Sequence, residues 1–332
     1  MDRLSTNPLF GPAMQRQASG MRQQLQLAVQ ELTSGNKIDS TQAVGGDYSQ
    51  LAATDHALAR LSGFNSAAQA LSLTATTMQK ALSVVHEAAL QLSTSILQSS
   101  SGLTAAQVTN LAKAGARDFE TTVSALNSQV AGQSLFGGVN IKTPPLPDAS
   151  ALLQAAQAAT AGAATAEQLT DLLDNWLSDP GGYASLYQGG PPQPPILIAE
   201  GETAALPVTA LDPGLRGTLS GLLKMALLDR GLFAGDNAAR AEVSLSAAGD
   251  LTSSSDKRLG IAAGIGITEK QISSVQARNN AQKAALEITR NGIMGADQYD
   301  AAVRIKDLEA RLDAFYTLTS RLSRLTLTDY LR

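Results

Sequence analysis

The sequence predicts a mainly α protein: a long helical bundle with coiled-coil helices at both chain ends and a small inserted α+β domain. Three observations carry that expectation. Apolar residues recur at alternating spacings of four and three over long stretches near both ends. Hydrophobic residues make up 44% of the 332, but aromatics only 4%, so Ala, Leu, Val and Ile carry the core, as closely packed long helices require. Glycine, proline and short β-prone runs concentrate in the middle of the chain, over 136–235.

The elements follow in order. Met14, Ala18, Met21, Leu25, Ala28 and Leu32 form a heptad seam that stops at Ser34-Gly35, where glycine suits a helix end. Residues 35–48, rich in turn formers, read as a loop. A second, longer seam runs Leu71, Ala75, Met78, Leu82, Val85, Ala89, Leu92 and Ile96, in a helix that begins near Ser49 and breaks at "SSSG" (99–102). Thr104, with Gln107 three residues on, is a capping box for a third helix whose stripe is Val108, Leu111, Gly115, Phe119, Val123, Leu126 and Val130.

The pattern changes at "SLFGGVNIKTPPLPDA" (134–149). Beyond it, Leu169, Leu172, Leu173 and Trp176 predict one short helix, and Leu215, Leu219, Leu222 and Ala226 another. "PPILIAEGETAALPVTALDPG" between them reads as short strands and turns. Helical character returns near Asp236; Gly260, Gly264 and Gly266 predict an interruption, and Thr268 with Gln271 a restart. "NGIMGAD" (291–297) is a break. The last helix starts at Asp297 and carries Ile305, Leu308, Leu312, Phe315, Thr319 and Leu322, with Asp300–Arg304 and Asp307–Arg311 as i,i+4 ion pairs. The expected organisation is therefore terminal coiled-coil helices (1–34 and 297–332), a central helical bundle (35–135 and 236–296) and an outward-facing insertion (136–235).

Composition narrows the function classes. The net charge is −4, from 25 basic and 29 acidic residues, with no basic cluster of the kind nucleic acid or an anionic membrane attracts. No apolar run approaches the ~18–20 residues of a membrane span, so no membrane insertion is expected. The absence of cysteine removes disulfides, thiol catalysis and thiolate metal sites. "MDRLSTNPLFGPAMQRQ" lacks the apolar stretch of a secretory signal, so export, if any, uses a route without a cleaved signal peptide.

The chemistry-bearing motifs fall short. His86-Glu87 opens a zinc-protease pattern, but Leu90 stands where the second histidine belongs. "GIAAGIGITEK" (260–270) has Glu269 in place of the third glycine of a dinucleotide loop. Met14, Met21 and Met78 read as core fillers, Trp176 and Tyr187 as core or surface anchors of the insertion, and Arg321 and Arg324 as solvated cations or intersubunit partners. No catalytic residue, cofactor site or metal site is predicted, and the chain reads as a non-enzyme.

An isolated amphipathic helix of this length is marginal in water, and its stripe gains ~25 cal/mol per Å2 when covered. Pairing the first helix with the last covers part of each. The remainder is covered either by other molecules, making the ends an assembly interface, or by the central bundle, making an ordinary monomeric core. The candidate interface residues are Met14, Met21, Leu25, Ala28, Leu32, Ile305, Leu308, Leu312, Phe315, Leu322, Leu325 and Leu327.

Three segments carry a family resemblance. The start, "RLSTNPLFGPAMQRQASGMRQQLQLAVQELTSGNKI", is similar to the N-terminal helix of the flagellin superfamily of bacterial flagellar axial proteins, which ends in a (L/M)(S/T)(S/T)G pattern met here by Leu32-Thr33-Ser34-Gly35. Residues 134–147 resemble the LF-x-G-x-x-x-x-TPPF stretch of hook–filament junction members, and "RLSRLTLTDYLR" resembles their LS-x-LSLL-x-YL close. "DSTQAVGGDYS" (39–49) matches neither the PSDDP of junction proteins nor the NSAKDDAAG of flagellins. The resemblance implies a structural protein of the extracellular bacterial flagellum, joining hook to filament by helical self-assembly of its terminal helices. It implies neighbouring copies, an adjacent hook-associated protein and flagellin as partners, and type III export with a chaperone holding the C-terminal helix. Filament flagellin is the alternative within the superfamily. A secreted coiled-coil effector or adhesin, and a hydrolase housed in the insertion, are alternatives of other classes.

Overall fold

The computed structural model describes the backbone of residues 10–330 except Ser101, and the side chains of 13–321 except Gln42 and Ser101. In chain order the elements are α1 (Phe10–Ser34), α2 (Ser40–Ala43), α3 (Ser49–Gln98), α4 (Ala105–Leu126), β1 (Gln129–Val130), β2 (Gln133–Ser134), α5 (Ala149–Ala159), α6 (Ala166–Ser178) and α7 (Tyr183–Leu186). Then come β3 (Ile196–Ala199), β4 (Glu202–Ala204), α8 (Pro213–Asp229), α9 (Asn237–Ser253), α10 (Ser255–Met294) and α11 (Gln298–Tyr330). The chain is mainly α, with two small antiparallel hairpins among the described residues, β1–β2 and β3–β4. It divides into two compact units, one made of residues 1–62 and 281–332, the other of 63–280; the boundaries fall inside α3 and α10.

In the larger unit, α8 is the central element. Every residue from Thr218 to Leu228 is buried, and α4 and α9 pack against it. One continuous core joins Met78, Val85 and Ile96 of α3, Val108, Phe119 and Val123 of α4, Leu152 of α5, Leu169 and Leu173 of α6, Val243 of α9 and Ile272 of α10. Close approach depends on two glycines. A Cβ at Gly115 would lie 2.4 Å from Met225 Cβ, and one at Gly221 would lie 2.7 Å from Leu251 Cγ. Neither space admits a side chain.

The segment "SLFGG…PPLP" ties the middle of the chain into this core. Phe136 is fully buried and Leu146 nearly so. Asn127, the residue ending α4, grips Leu146 from both sides: its amide donates to the Leu146 carbonyl and its carbonyl accepts from the Leu146 N–H, each at 2.9 Å. Ala210 N–H donates to Phe136 O at 3.1 Å, and the buried Tyr183 hydroxyl donates to Ala210 O at 2.9 Å. Gly138, at φ +61°, sits where a Cβ would strike the Pro191 carbonyl. Burial pushes the Tyr183 phenol well above its ordinary range. Trp176 is half-buried and meets Tyr183 edge-to-face, with centroids 6.1 Å apart.

Charges enter the core at α8. Lys224 is fully buried; its ammonium donates to Asp250 at 2.6 Å and to Ser246 Oγ at 3.0 Å. Ser220 donates to Asp250 at 2.8 Å and stands 3.1 Å from Asp174. Arg258, 3% exposed, donates to Thr218 and Ser254 hydroxyls and to the Leu251 carbonyl. Among the described residues no carboxylate balances it, and burial pulls its pKa down to about 10.

Helix boundaries follow local chemistry. The Thr104–Gln107 capping box forms as expected and opens α4. Two expectations fail. Gly260, Gly264 and Gly266 do not interrupt the chain; all three lie inside α10, with ordinary helical backbone. Thr268 is accordingly not a cap: its hydroxyl faces the Gly264 and Ala205 carbonyls, and Gln271 reaches Thr203 O. The predicted loop 35–48 contains the short helix α2, closed by Gly45 and Gly46 at positive φ. Val130, expected on the stripe of the third helix, lies instead in β1: α4 ends at Leu126, where the cap at Asn127 turns the chain into the hairpin β1–β2. Helix α5 is an addition to the expected elements.

Candidate assembly surface

The smaller unit is dominated by packing of α1 on α11. The helices run antiparallel: Glu31 of α1 meets Arg304 at the start of α11, and Arg22, nearer the start of α1, meets Tyr316 further along α11. Heptad spacing on each helix puts its apolar residues on the facing side.

At the base, Glu31 O accepts from Gly35 N–H at 2.9 Å, and Gly35 adopts φ +67°, closing α1. The emerging chain then pairs with the start of the C-terminal segment. Lys37 N–H donates to Met294 O at 2.7 Å, Ala296 N–H donates to Gly35 O at 2.9 Å, and Asn36 bridges Gly295. Asp297 accepts from Tyr299 and Asp300 N–H groups and starts α11. Asp47 does the same before α3, and its bonds to Ser49 hold its carboxyl below the ordinary value.

Glu31 is the electrostatic centre of this clasp. It is 9% exposed; one carboxylate oxygen accepts from Ile38 N–H at 3.2 Å and the other faces Arg304 at 3.4 Å. Asp307–Arg311 forms as an i,i+4 pair at 2.8 Å. The expected Asp300–Arg304 pair gives way to the contact across the helices, since Glu31 is the more desolvated acid.

Burial along the seam is partial. Of the candidate residues, Ala28 (4%) and Leu312 (7%) are buried. Met14, Met21, Leu25, Leu32, Ile305, Leu308 and Phe315 are half-buried. The side chains of Leu322, Leu325 and Leu327 lie outside the described residues. Beside the seam, Leu27, Val29, Val303, Tyr316 and Leu318 are exposed, Leu318 at 58%. A groove of about 490 Å3 runs along one flank, floored by Leu27, Ala28, Ile38 and Leu308 and edged by Glu31, Asp39, Arg304 and Asp307. On the other flank the Arg22 guanidinium lies over the Tyr316 ring at 5.7 Å and donates to its hydroxyl.

Sequence reading missed these flanking residues. Glu31 and Gln24 are one heptad apart and adjoin the seam, so the signal was present as edge positions that set helix pairing. Among the described residues no three His, Asp or Glu side chains gather as metal ligands, and no helix is long and apolar enough to cross a membrane.

No sequence-family profile and no curated protein sequence matches the chain. A solved structure does. A protein from Vibrio parahaemolyticus described as a flagellar hook-associated protein matches with a TM-score of 0.52 and 19% identity, over 73% of this chain and 95% of that one. The two share a fold. The shared fold is the mainly α architecture, and the match takes in nearly the whole of the solved protein.

Proposed function

We propose that this chain is a non-catalytic structural protein of the bacterial flagellum, of the hook-associated class, and that it joins hook to filament. The observation carrying the proposal is the shared fold with the hook-associated protein, which spans 95% of that chain. The flagellin-like segments at both ends and at 134–147 support the finer assignment. The half-covered α1–α11 seam supports the mechanism: neighbouring copies and the adjoining axial proteins, hook-associated protein and flagellin, complete its burial. In this reading 1–34 and 297–332 form the inner layer, 35–135 and 236–296 the second layer, and 136–235 faces outward. Assembly takes place outside the cell after export without a cleaved signal, with a chaperone covering the C-terminal helix until then.

The test is incorporation. Purified full-length protein is added to isolated hooks and imaged by immunogold electron microscopy, alongside a variant lacking 297–332. The expected result is short caps at hook ends with full-length protein and none with the truncated one, whose circular dichroism stays helical. Long self-grown filaments would make the chain a flagellin. A full-length protein that never binds hooks would overturn the assignment.

A further inference from the structure

Charge is divided unevenly along the α1–α11 pair. The antiparallel contacts Glu31–Arg304 and Arg22–Tyr316 set the residues near 24 level with those near 313. On the clasp side of that level, residues 24–48 and 297–313 carry eight acidic side chains against four basic. On the other side, 14–23 and 314–330 carry four arginines against one aspartate. The pair thus has an acidic base and a basic upper half.

Pairing within the chain does not level this out. Arg22 lies against a neutral partner, the Tyr316 ring and hydroxyl, and Arg321 is exposed. In the base, Glu31 meets Arg304 and Asp307 meets Arg311, and acids still outnumber bases two to one. The two halves also differ in shape. The base holds the groove, with its apolar floor under an edge that contains three carboxylates and one guanidinium. The upper half offers the counterpart. Leu318 stands exposed on α11, and Arg321, three positions on, neighbours it on the helix surface. An apolar knob beside a cation matches an apolar floor beside an acidic edge. Within one chain the two do not meet. Leu318 lies ten positions beyond Leu308 on the same helix, roughly 15 Å away at 1.5 Å per residue.

We propose that the occupant of this groove is the basic upper half of a second copy, pointing the same way and displaced along the axis, with Leu318 on the floor and Arg321 at Asp307. This rests on the reading that copies meet along their terminal helices, and it adds the height at which they meet. Side by side at equal height, two copies set acid against acid and arginine against arginine. A displacement of roughly 15 Å, the rise from Leu308 to Leu318, sets opposite charges together instead. Each copy then keeps an open groove on one side and an open basic half on the other, so the contact propagates rather than closing.

The chain contains no cysteine, so disulfide trapping reads introduced pairs alone. Full-length protein carrying Leu27→Cys and Leu318→Cys is oxidised in concentrated solution at low and at high salt, beside each single variant. Within one copy these positions stand roughly 12 Å apart along the axis, beyond the ~7 Å reach of a disulfide. The expected result is a ladder of dimers, trimers and longer species from the double variant and little product from either single one. From about 10 mM to about 1 M salt the screening length falls from about 30 Å to about 3 Å, and the ladder is expected to weaken severalfold. In the same background Arg321→Glu and Asp307→Lys are each expected to remove the ladder, and the two together to restore it.

A ladder arrested at the dimer would reveal a closed, reversed pair and overturn the common direction. Strong cross-linking by the single variants would reveal packing at equal height and overturn the displacement. No product, or a ladder that strengthens with salt, would give the groove to another occupant and overturn the inference outright. Binding to isolated hooks is scored separately on the same protein. Caps without the 27–318 bond would end this inference and leave the proposed function standing, and a ladder without caps would do the reverse.

Discussion

Gly115 and Gly249 are both glycines inside helices, yet alanine at the two positions should move stability in opposite directions. Alanine in a helix interior is favoured over glycine by about 0.5–1 kcal/mol. At Gly249 of α9, and likewise Gly260 of α10, a Cβ meets nothing within 4 Å, so the full gain should appear. At Gly115 the Cβ would stand 2.4 Å from Met225 Cβ, 3.1 Å from Met225 Cγ and 3.2 Å from Leu92 Cδ2, all on buried side chains. Ordinary carbon contacts need about 3.5–4.0 Å, so α4 and α8 must part by roughly an ångström where they pack most extensively. Overpacking of this kind costs about 1–3 kcal/mol, and set against the helix-propensity gain it leaves a net loss of up to about 2.5 kcal/mol. For a domain of about 200 residues this lowers the melting temperature by up to about 10 °C, while Gly249→Ala and Gly260→Ala each raise it by about 1–4 °C. Scanning calorimetry on the purified variants reads all three. Pairing Gly115→Ala with Met225→Gly, which removes the Met225 Cβ that the new methyl would strike, should relieve the clash and show coupling well beyond additivity. A Gly115→Ala protein as stable as wild type would refute the close α4–α8 packing on which the description of the core rests.

Three further outcomes follow from the same geometry. Asn127→Ala removes both bonds that clamp Leu146 and leaves its buried N–H unpaired, so urea titration should show a loss of about 1–3 kcal/mol. Asp118 of α4 is half-buried, and desolvation raises its pKa; deprotonation therefore costs more in the folded chain, a penalty fully present above the raised folded pKa and gone below the ordinary value near 3.8. Asp118→Asn should accordingly raise the melting temperature at pH 7 and leave it unchanged near pH 3. Glu31→Ala removes the acceptor of Ile38 N–H and the partner of Arg304, so amide exchange at Ile38 should accelerate while the amides of α8 stay as protected as before.

The sequence made the long helices legible because their signals are local. The seams of α1, α3 and α11 repeat every seven residues, the Thr104–Gln107 box opens α4 at the expected residue, and Gly35 closes α1 with the positive φ that its type allows. Gly260, Gly264 and Gly266 misled for the converse reason: glycine permits a break without requiring one, and the stripe of Ile265, Ile272 and Val275 runs on regardless. Helix α5 escaped notice because an Ala-rich run gives little contrast between faces, and Tyr183 because its role depends on a carbonyl 27 positions away. For the candidate surface, the seam residues could be read from spacing. The Glu31–Arg304 contact could not, because i,i+4 logic pairs Arg304 with Asp300 and carries no information about the opposite helix.

The clasp formed by Gly35, Asn36 and Lys37 with Met294, Gly295 and Ala296 also sets an order of events. Its two halves are separated by most of the polypeptide, so loop closure over that distance must come before either half gains anything. A chain synthesised amino end first presents the apolar side of α1 before α11 exists to pack on it. Residues 63–280 can settle while that helix waits. Until α11 is in place, the apolar side of α1 is left without the segment that covers part of it.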